Sequence, residues 1–395
     1  MKILQVHNQY INRGGEDVVL DRERQLLREN GHIVERYLAS NQEISSTAKK
    51  LGTLLKLPYS RGQEKKIKRT ITEYKPDLVH VHNFSPIISP SVFYACKKMK
   101  VPVVMTLHNF RLICINGMLY RNHRVCELCL SSKFPLDGIK HGCYQNSKLV
   151  SIMPALSNGL HNIMGTWQNQ VDRFIFLTPL ARSIFQRSKL DMDYGKTTVK
   201  PNFADDMGFD LDKEDFYIYV GRLIEEKGID LVIDAFISFG KKLFVFGEGP
   251  LLQTLKQKTA SVDNIEFMGF QPPEKTRPIF KKAKALVFAS QWYEGMPLVI
   301  LESLSFATPV IVADLGNGGD MIEHGSTGLK FAHDSLASLI STLKGYEAVD
   351  HTEMSRNARR EFERNYTASG NLEALTSIYR DAIEESKEKK GFKGG

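Results

Sequence analysis

The sequence predicts an α/β fold made of two parallel-sheet domains, on three observations. The chain has 395 residues, too long for one ordinary core and suited to two domains of about 150–200 residues each. Short apolar runs alternate with longer mixed-polarity segments in both halves, which is the pattern of a parallel sheet covered by helices. The rhythm pauses at Lys200-Pro201-Asn202-Phe203 and then restarts, which marks a hinge between residues 1–200 and 203–365.

In the first half, Lys2–His7 reads as a strand and Asp17–Asn30 as a helix closed by Gly31. Ile33–Leu38 is a second strand. Lys65–Tyr74 is helical and stops before Pro76, because a residue preceding proline is pushed out of the helical region. Leu78–His82 is a strand, Val92–Lys98 a helix and Val103–Leu107 another strand. The alternation breaks over 110–147, an insertion that carries cysteines. Ile152–Gln168 then reads as helix and Arg173–Leu177 as strand. After the hinge, Phe216–Val220, Lys242–Gly247, Asn264–Met268, Ala285–Ala289 and Pro309–Ala313 are five strand candidates. Tyr366–Glu385 reads as a final helix within a closing segment 366–390, and the charged, Gly-bearing tail Ser386–Gly395 is expected to be disordered.

Composition narrows the class. Apolar residues make up 42% and charged residues 25%, the balance of a water-soluble globular protein. There is no run of 18 or more apolar residues, so no membrane span is expected. Met1-Lys2-Ile3-Leu4-Gln5-Val6 begins a strand rather than a signal peptide, so a cytoplasmic location is expected. The net charge of +8 suits anionic partners. Part of it clusters at Lys49, Lys50, Lys56, Arg61, Lys65, Lys66, Lys68 and Arg69, interleaved with Leu51, Leu54, Leu55 and Leu57. That stretch fits either an anionic membrane surface, with the protein peripheral on the inner face of the cell membrane, or an ordinary solvated helix face. No aromatic-and-basic pattern of a nucleic-acid reader is present, which argues against that partner.

The segment Ser290–Glu302 holds the most chemical information. The strand Ala285–Ala289 runs into a loop bearing Glu294, Gly295, Met296 and Pro297, and a helix is expected over Leu298–Phe306. Proline suits the first helical position, because its missing N–H could not be used there. The bare amides of such a helix start attract phosphate. Glu302, eight positions after Glu294, lies about a turn and a half into the helix, where a carboxylate can accept two hydrogen bonds from a ribose. Glu294 faces the other end of the same ligand. Two glutamates eight apart also occur on solvated helix faces; the strand before them and the apolar run Leu298-Val299-Ile300-Leu301 favour a nucleotide-sugar site.

This segment resembles the E-x7-E signature of retaining glycosyltransferases of the GT-B fold, in particular glycosyltransferase family four (glycosyl transferases group 1), and the resemblance extends over nearly the whole chain. It implies two Rossmann-like domains facing each other across a cleft: an acceptor-side domain over 1–200 with the insertion 110–147, a nucleotide-sugar-binding domain over 203–365, and a closing helix in 366–390 that crosses back to the first domain. It is specific to a superfamily and weak on substrate.

Further matches follow the strands. Arg13-Gly14-Gly15-Glu16-Asp17 opens a helix after the first strand, where ligands bind in such sheets; by resemblance Gly15 faces the donor phosphate and Glu16 lines the acceptor side. Gly221-Arg222-Leu223-Ile224-Glu225-Glu226-Lys227-Gly228 follows the first strand of the second half. The family has Arg and Lys at the places of Arg222 and Lys227, both reaching the donor diphosphate. Arginine grips phosphate bidentately and lysine adds a point charge. No Asp-x-Asp metal motif stands at a fitting place, so two fixed cations stand in for a divalent ion and no catalytic cofactor is expected. His108, at the end of a strand, is placed by resemblance near the transferred sugar; a core histidine satisfied locally is the alternative. His80 and His82 are read as structural or acceptor-side. Gly247-Glu248-Gly249-Pro250 is an incomplete dinucleotide fingerprint, since position 252 is Leu, and reads as a wall of the nucleotide pocket. Gly316-Asn317-Gly318-Gly319-Asp320 resembles the family's Gly-Gly-x-x-Glu stretch, with Asp320 where Glu is usual.

Cys114, Cys126, Cys129 and Cys143 form a C-x11-C-x2-C-x13-C pattern that fits either a structural zinc or four thiols in a compact insertion. Cys96 reads as core.

The expected activity is retaining, metal-independent transfer of a sugar from a UDP- or GDP-sugar to a glycan or lipid-linked acceptor in surface polysaccharide biosynthesis. Glu294 and His108 position the sugar; Gly15, Arg222, Lys227, Gly295, Met296, Pro297, Leu298 and Glu302 bind the donor. A non-catalytic nucleotide-sugar-binding or scaffold protein of the same fold is the alternative.

Overall fold

A computed structural model describes residues 1–391 apart from Asn12 and Ser45. The chain divides into two compact units: Met1–Leu119, Glu127–Pro201 and Ser369–Gly395 form the first, and Tyr120–Cys126 and Asn202–Ala368 the second. In chain order the strands are β1 (Lys2–Gln9), β2 (Ile33–Ser40), β3 (Leu78–Asn83), β4 (Val103–Leu107), the hairpin β5 (Tyr120–Arg121) and β6 (Arg124–Val125), β7 (Arg173–Phe176), β8 (Thr197–Val199), β9 (Glu214–Val220), β10 (Lys242–Phe246), β11 (Ile265–Gly269), β12 (Ala283–Phe288), β13 (Val310–Ala313) and β14 (Gly328–Phe331).

The first unit holds a six-stranded sheet in the order β2-β1-β3-β4-β7-β8, parallel throughout. Its central strands are buried on both faces, which is why they read as near-continuous apolar runs. Ile3, Leu78, Val104 and Ile175 pack against Leu375, Ile378, Tyr379 and Ala382 of the long C-terminal helix Ala368–Gly391. Each of the leucine, isoleucine and valine side chains contributes about 1.5–3 kcal/mol by leaving water, so this helix is part of the first core.

The second unit holds a sheet in the order β11-β10-β9-β12-β13-β14, again all parallel. Leu243, Val245, Val287 and Ile311 on its strands meet Ile229, Val232, Ile233 and Phe236 of the Ile229–Phe239 helix. Strand order reverses between β1 and β3 in the first sheet and between β9 and β12 in the second. In open α/β sheets ligands bind beyond the carboxyl ends of the strands at such reversals, so the loops after these four strands are where function is sought.

Four differences from the sequence reading have local causes. The helix expected over Ile152–Gln168 is two, Lys148–Ile163 and Thr166–Gln170, because Gly165 between them takes φ +61°. The edge strands β8 and β14 escaped notice: each is three or four residues long and half-exposed, too short for a periodic signal. Pro297 flanks its helix at φ −72°, ψ 111°, and Leu298 is the first helical residue. The tail expected to be disordered from Ser386 is helical to Gly391; residues 392–395 lie outside the described residues. Among the described residues no helix is long and apolar enough to cross a membrane.

Candidate functional site: a loop-built anion site and a buried histidine cluster

In the second unit the loop after β9 lies against the loop after β12. Gln291 donates its backbone N–H to the Glu226 carbonyl at 2.8 Å. A Cβ on Gly228 would come within 2.0 Å of the Ala289 carbonyl oxygen, and its φ is +66°, so only glycine allows this approach. The same holds one turn of the sheet away, where Gly247 has φ +132° and a Cβ there would come within 1.9 Å of the Gly221 carbonyl oxygen. The Gly247 N–H donates to Gly269 O at 2.9 Å. The glycines therefore bring three loops of one unit together.

Glu294 is the centre of this loop cluster. Its buried carboxylate accepts at Oε1 from Lys227 Nζ at 2.5 Å, Ser290 Oγ at 2.6 Å and Trp292 Nε1 at 3.0 Å. Lys227 is itself flanked by the rings of Phe288 and Trp292, at 5.9 and 5.8 Å. The peptide after Glu294 is clamped by the fully buried Asn317, whose amide donates to the carbonyl of Glu294 and, at 2.9 Å, to that of Gly295. Met296 is buried, and its sulfur accepts from the Asn202 N–H at 3.1 Å. These fixed peptides lead into the Leu298–Ser305 helix, whose N-terminus no side chain caps. Its first amides and its dipole favour negative charge there. Glu302 is half-buried on the second turn of the same helix, and Arg222 is exposed on the β9 loop. Glu294, Gly295, Met296, Pro297, Leu298, Lys227, Arg222 and Glu302 thus lie on the β9 and β12 loops and the helix that follows β12. The sequence reading had Lys227 on phosphate and Glu294 on sugar; here the two are paired with each other, a contact that eight-residue spacing could not reveal.

The first unit is built differently. Beyond β1, Gly14 precedes the Gly15–Glu29 helix, and its N–H donates to Asp17 Oδ2 at 3.0 Å. Asp17 also bonds His7 Nε2 at 3.0 Å. Burial alone would raise the Asp17 carboxyl; the bonds from His7 and the Gly14 amide hold it below its ordinary value. Glu16 has the opposite balance. Burial pushes it up to about 7, with His7, Arg111 and the Tyr10 hydroxyl, which donates to it at 3.1 Å, opposing. Gly15 itself is exposed.

Deeper, the end of β3 supplies His80 and His82 and the end of β4 supplies His108. His82 Nδ1 and His108 Nε2 are 3.0 Å apart. Burial drives both well below the ordinary histidine range, and the other basic groups nearby add to this. His80 falls to about 4 by burial; it bonds Tyr379 Oη at 2.7 Å and Thr106 Oγ1 at 2.8 Å. Glu23 accepts from Lys200 Nζ at 2.9 Å, both groups being 1% exposed. Glu23, His80 and His82 are, among the described residues, the group of three whose ligand atoms lie within 4.8 Å of one another. They do not fit a metal: both His80 nitrogens are bonded, and the Lys200 ammonium already neutralises Glu23. His108 is half-buried beside His82 and bonded to it, an arrangement that fits both the sugar-facing reading and that of a histidine satisfied locally. The bonds of His7 to Asp17, ten residues on, and of Lys200 to Glu23, 177 residues away, were not read from sequence, because no local pattern announces either.

The cysteines do not gather as the zinc reading required. Cys114 is buried and its thiol donates to Asn116 Oδ1 at 2.9 Å, and burial pushes that thiol up. Cys114, Cys129 and Cys143 belong to the first unit and Cys126 to the second. Among the described residues, no three cysteines bring their sulfurs within 4.8 Å of one another. Cys96 is core, as read, with 0% exposure.

Two sheets of parallel strands, with switch points lined in this way, define an α/β protein of the GT-B type. Residues 13–206 match the model "Glycosyltransferase Family 4" and residues 206–361 match "Glycosyl transferases group 1". The chain is 25% identical over 316 residues to TuaC of Bacillus subtilis (strain 168), a glycosyltransferase assigned to teichuronic acid biosynthesis, covering 79% of this chain and 72% of that one. Its fold resembles sucrose-phosphate synthase from Thermosynechococcus elongatus, with a TM-score of 0.71, 16% identity and coverage of 97% and 99% of the two chains. It also resembles HepE of Anabaena in complex with UDP, with a TM-score of 0.66, 15% identity and coverage of 96% and 100%. At such identities the structures speak for the fold alone. Together the matches support a GT-B glycosyltransferase.

Proposed function

We propose that this protein transfers a sugar, with retention of anomeric configuration and without a catalytic metal, from a UDP- or GDP-sugar to a glycan or lipid-linked acceptor in surface polysaccharide biosynthesis. The observation that carries the reading is the fixed loop of the second unit, in which Glu294 is held by Lys227, Ser290 and Trp292 immediately before an uncapped helix start. In this reading the diphosphate sits on the amides of Gly295–Leu298, with Arg222 and Lys227 as cations stabilising the leaving group. Glu302 accepts the ribose hydroxyls. Glu294, released from Lys227 as phosphate takes that ammonium, turns to the sugar. By the family resemblance, His108 offers an imidazole to a sugar hydroxyl and Gly15 faces the donor phosphate. Glu16, raised to about 7, lines the acceptor side, where it can exchange a proton near neutrality. The likeness to TuaC supports a glycan acceptor; HepE, which shares the fold, was solved with UDP, which makes UDP the first nucleotide to test.

The test is turnover of labelled UDP- and GDP-sugars with a crude lipid-linked glycan fraction, in the presence of EDTA. Transfer that survives chelation, with the product's anomeric proton matching that of the donor by NMR, is the expected result. Binding of a donor without transfer or hydrolysis would instead favour a nucleotide-sugar-binding scaffold.

A further inference from the structure

The Lys148–Ile163 helix is amphipathic the wrong way round. Its exposed positions after Lys148 are Leu149, Ile152, Leu156, Leu160 and Ile163, from 39% to 78% exposed. Their spacing of three, four, four and three puts them on one stripe. The face turned to the protein carries Ser151, Pro154, Ala155, Ser157 and Gly159, and a Cβ on Gly159 would come within 2.1 Å of the Phe134 ring. The helix is therefore pressed onto the first unit through its small residues and presents its large aliphatic ones to solvent. The neighbouring Thr47–Leu55 helix packs against it. His161 bonds the Pro58 carbonyl at 2.8 Å just beyond that helix, and Leu51 and Leu55, one turn apart, add to the exposed apolar surface at 58% and 62%.

Charge selects what covers this face. Lys49, Lys50, Lys56 and Lys148 are exposed on or beside the two helices. The sequence has no Asp or Glu between Glu43 and Glu64, nor between Asp137 and Asp172. A symmetric second copy would bring two such lysine rims together, and like charges would oppose it. A bilayer of anionic lipid meets both demands, since its acyl boundary accepts leucine and isoleucine while its headgroups attract lysine.

We propose that the apolar stripe of the Lys148–Ile163 helix, with Leu51 and Leu55 and their lysine rim, is the surface by which this protein lies on an anionic membrane. The inference does not depend on sugar transfer. It is tested by sedimenting the full chain with vesicles of phosphatidylcholine alone, or with three-tenths phosphatidylglycerol. Binding to the anionic vesicles is expected, with little to the neutral ones and release in 0.5 M salt. The exposed double change Leu156→Glu and Leu160→Glu should lower partitioning at least tenfold, and Lys49→Glu with Lys50→Glu about tenfold, while the melting temperature and circular dichroism stay as in the parent. The proposal is overturned if the parent ignores anionic vesicles, if Leu156→Glu and Leu160→Glu leave binding intact, or if sedimentation shows these changes dissolving a dimer in a protein that never bound lipid.

Discussion

In the second unit, the switch point between β9 and β12 is lined by backbone brought close by glycines, with an ion pair, Lys227–Glu294, at partial exposure. In the first unit, the switch point between β1 and β3 opens onto buried side chains, with neutral histidines bonded to one another and a lysine sealed against Glu23. The first arrangement offers amides and a cation, groups that suit an anion as the proposed function requires. The second offers imidazoles that burial holds below the ordinary histidine range, groups that suit uncharged hydroxyls. A glycosyltransferase needs both kinds of surface, one for a diphosphate and one for sugars.

The comparison breaks if the glycines are interchangeable. Gly247→Ala would place a methyl group against the Gly221 carbonyl at a φ that L residues rarely adopt, and a loss of roughly 3 kcal/mol or more is expected. Gly14→Ala, in the first unit, meets nothing within 4 Å and should cost under about 1 kcal/mol. Urea unfolding of both variants distinguishes them; equal losses would mean that close backbone approach does not separate the two sites.

Glu16 sharpens the other side. Its folded-state value of about 7 lies above the ordinary 4.5, so its contribution is most favourable below about pH 4.5 and declines as pH rises to 7. Removing the charge should therefore help only at the alkaline end. Glu16→Gln is expected to match the parent in stability near pH 4.5 and to exceed it by up to about 3 kcal/mol at pH 8. A difference that does not vary with pH would show that the carboxyl is not held protonated. A smaller effect than at Gly247 or Glu16 is expected at the Tyr379–His80 bond that joins the C-terminal helix to the histidine cluster. Tyr379→Phe should cost about 1–2 kcal/mol by leaving one imidazole nitrogen unpaired, measured by thermal unfolding.

The sheets were legible because their strands are apolar on both faces and their connecting helices are long enough to be periodic. The Ser290–Glu302 segment was legible because a strand, a loop with Gly and Pro and a helix start fall within thirteen consecutive residues. What escaped is what depends on distant chain. Asn317 clamps the Glu294 loop from twenty-three residues away, and Lys200 meets Glu23 across 177; no local pattern announces either. The cysteine spacing left two readings open for the complementary reason: C-x2-C brings two ligands near each other, but the remaining geometry belongs to the insertion's packing, which buries Cys114. The inverted helix at Lys148–Ile163 was read only as helix, because apolar periodicity says which residues share a face and not which way that face points.

The central claim, that the second unit's loop and the helix after it cradle a nucleoside diphosphate, is tested most directly by donor affinity in Glu302→Ala. Isothermal titration with UDP and GDP should show binding of at least one nucleotide by the parent and a loss of about 1–3 kcal/mol in the variant, with the fold intact by circular dichroism. A variant that binds that nucleotide as tightly as the parent would contradict the account.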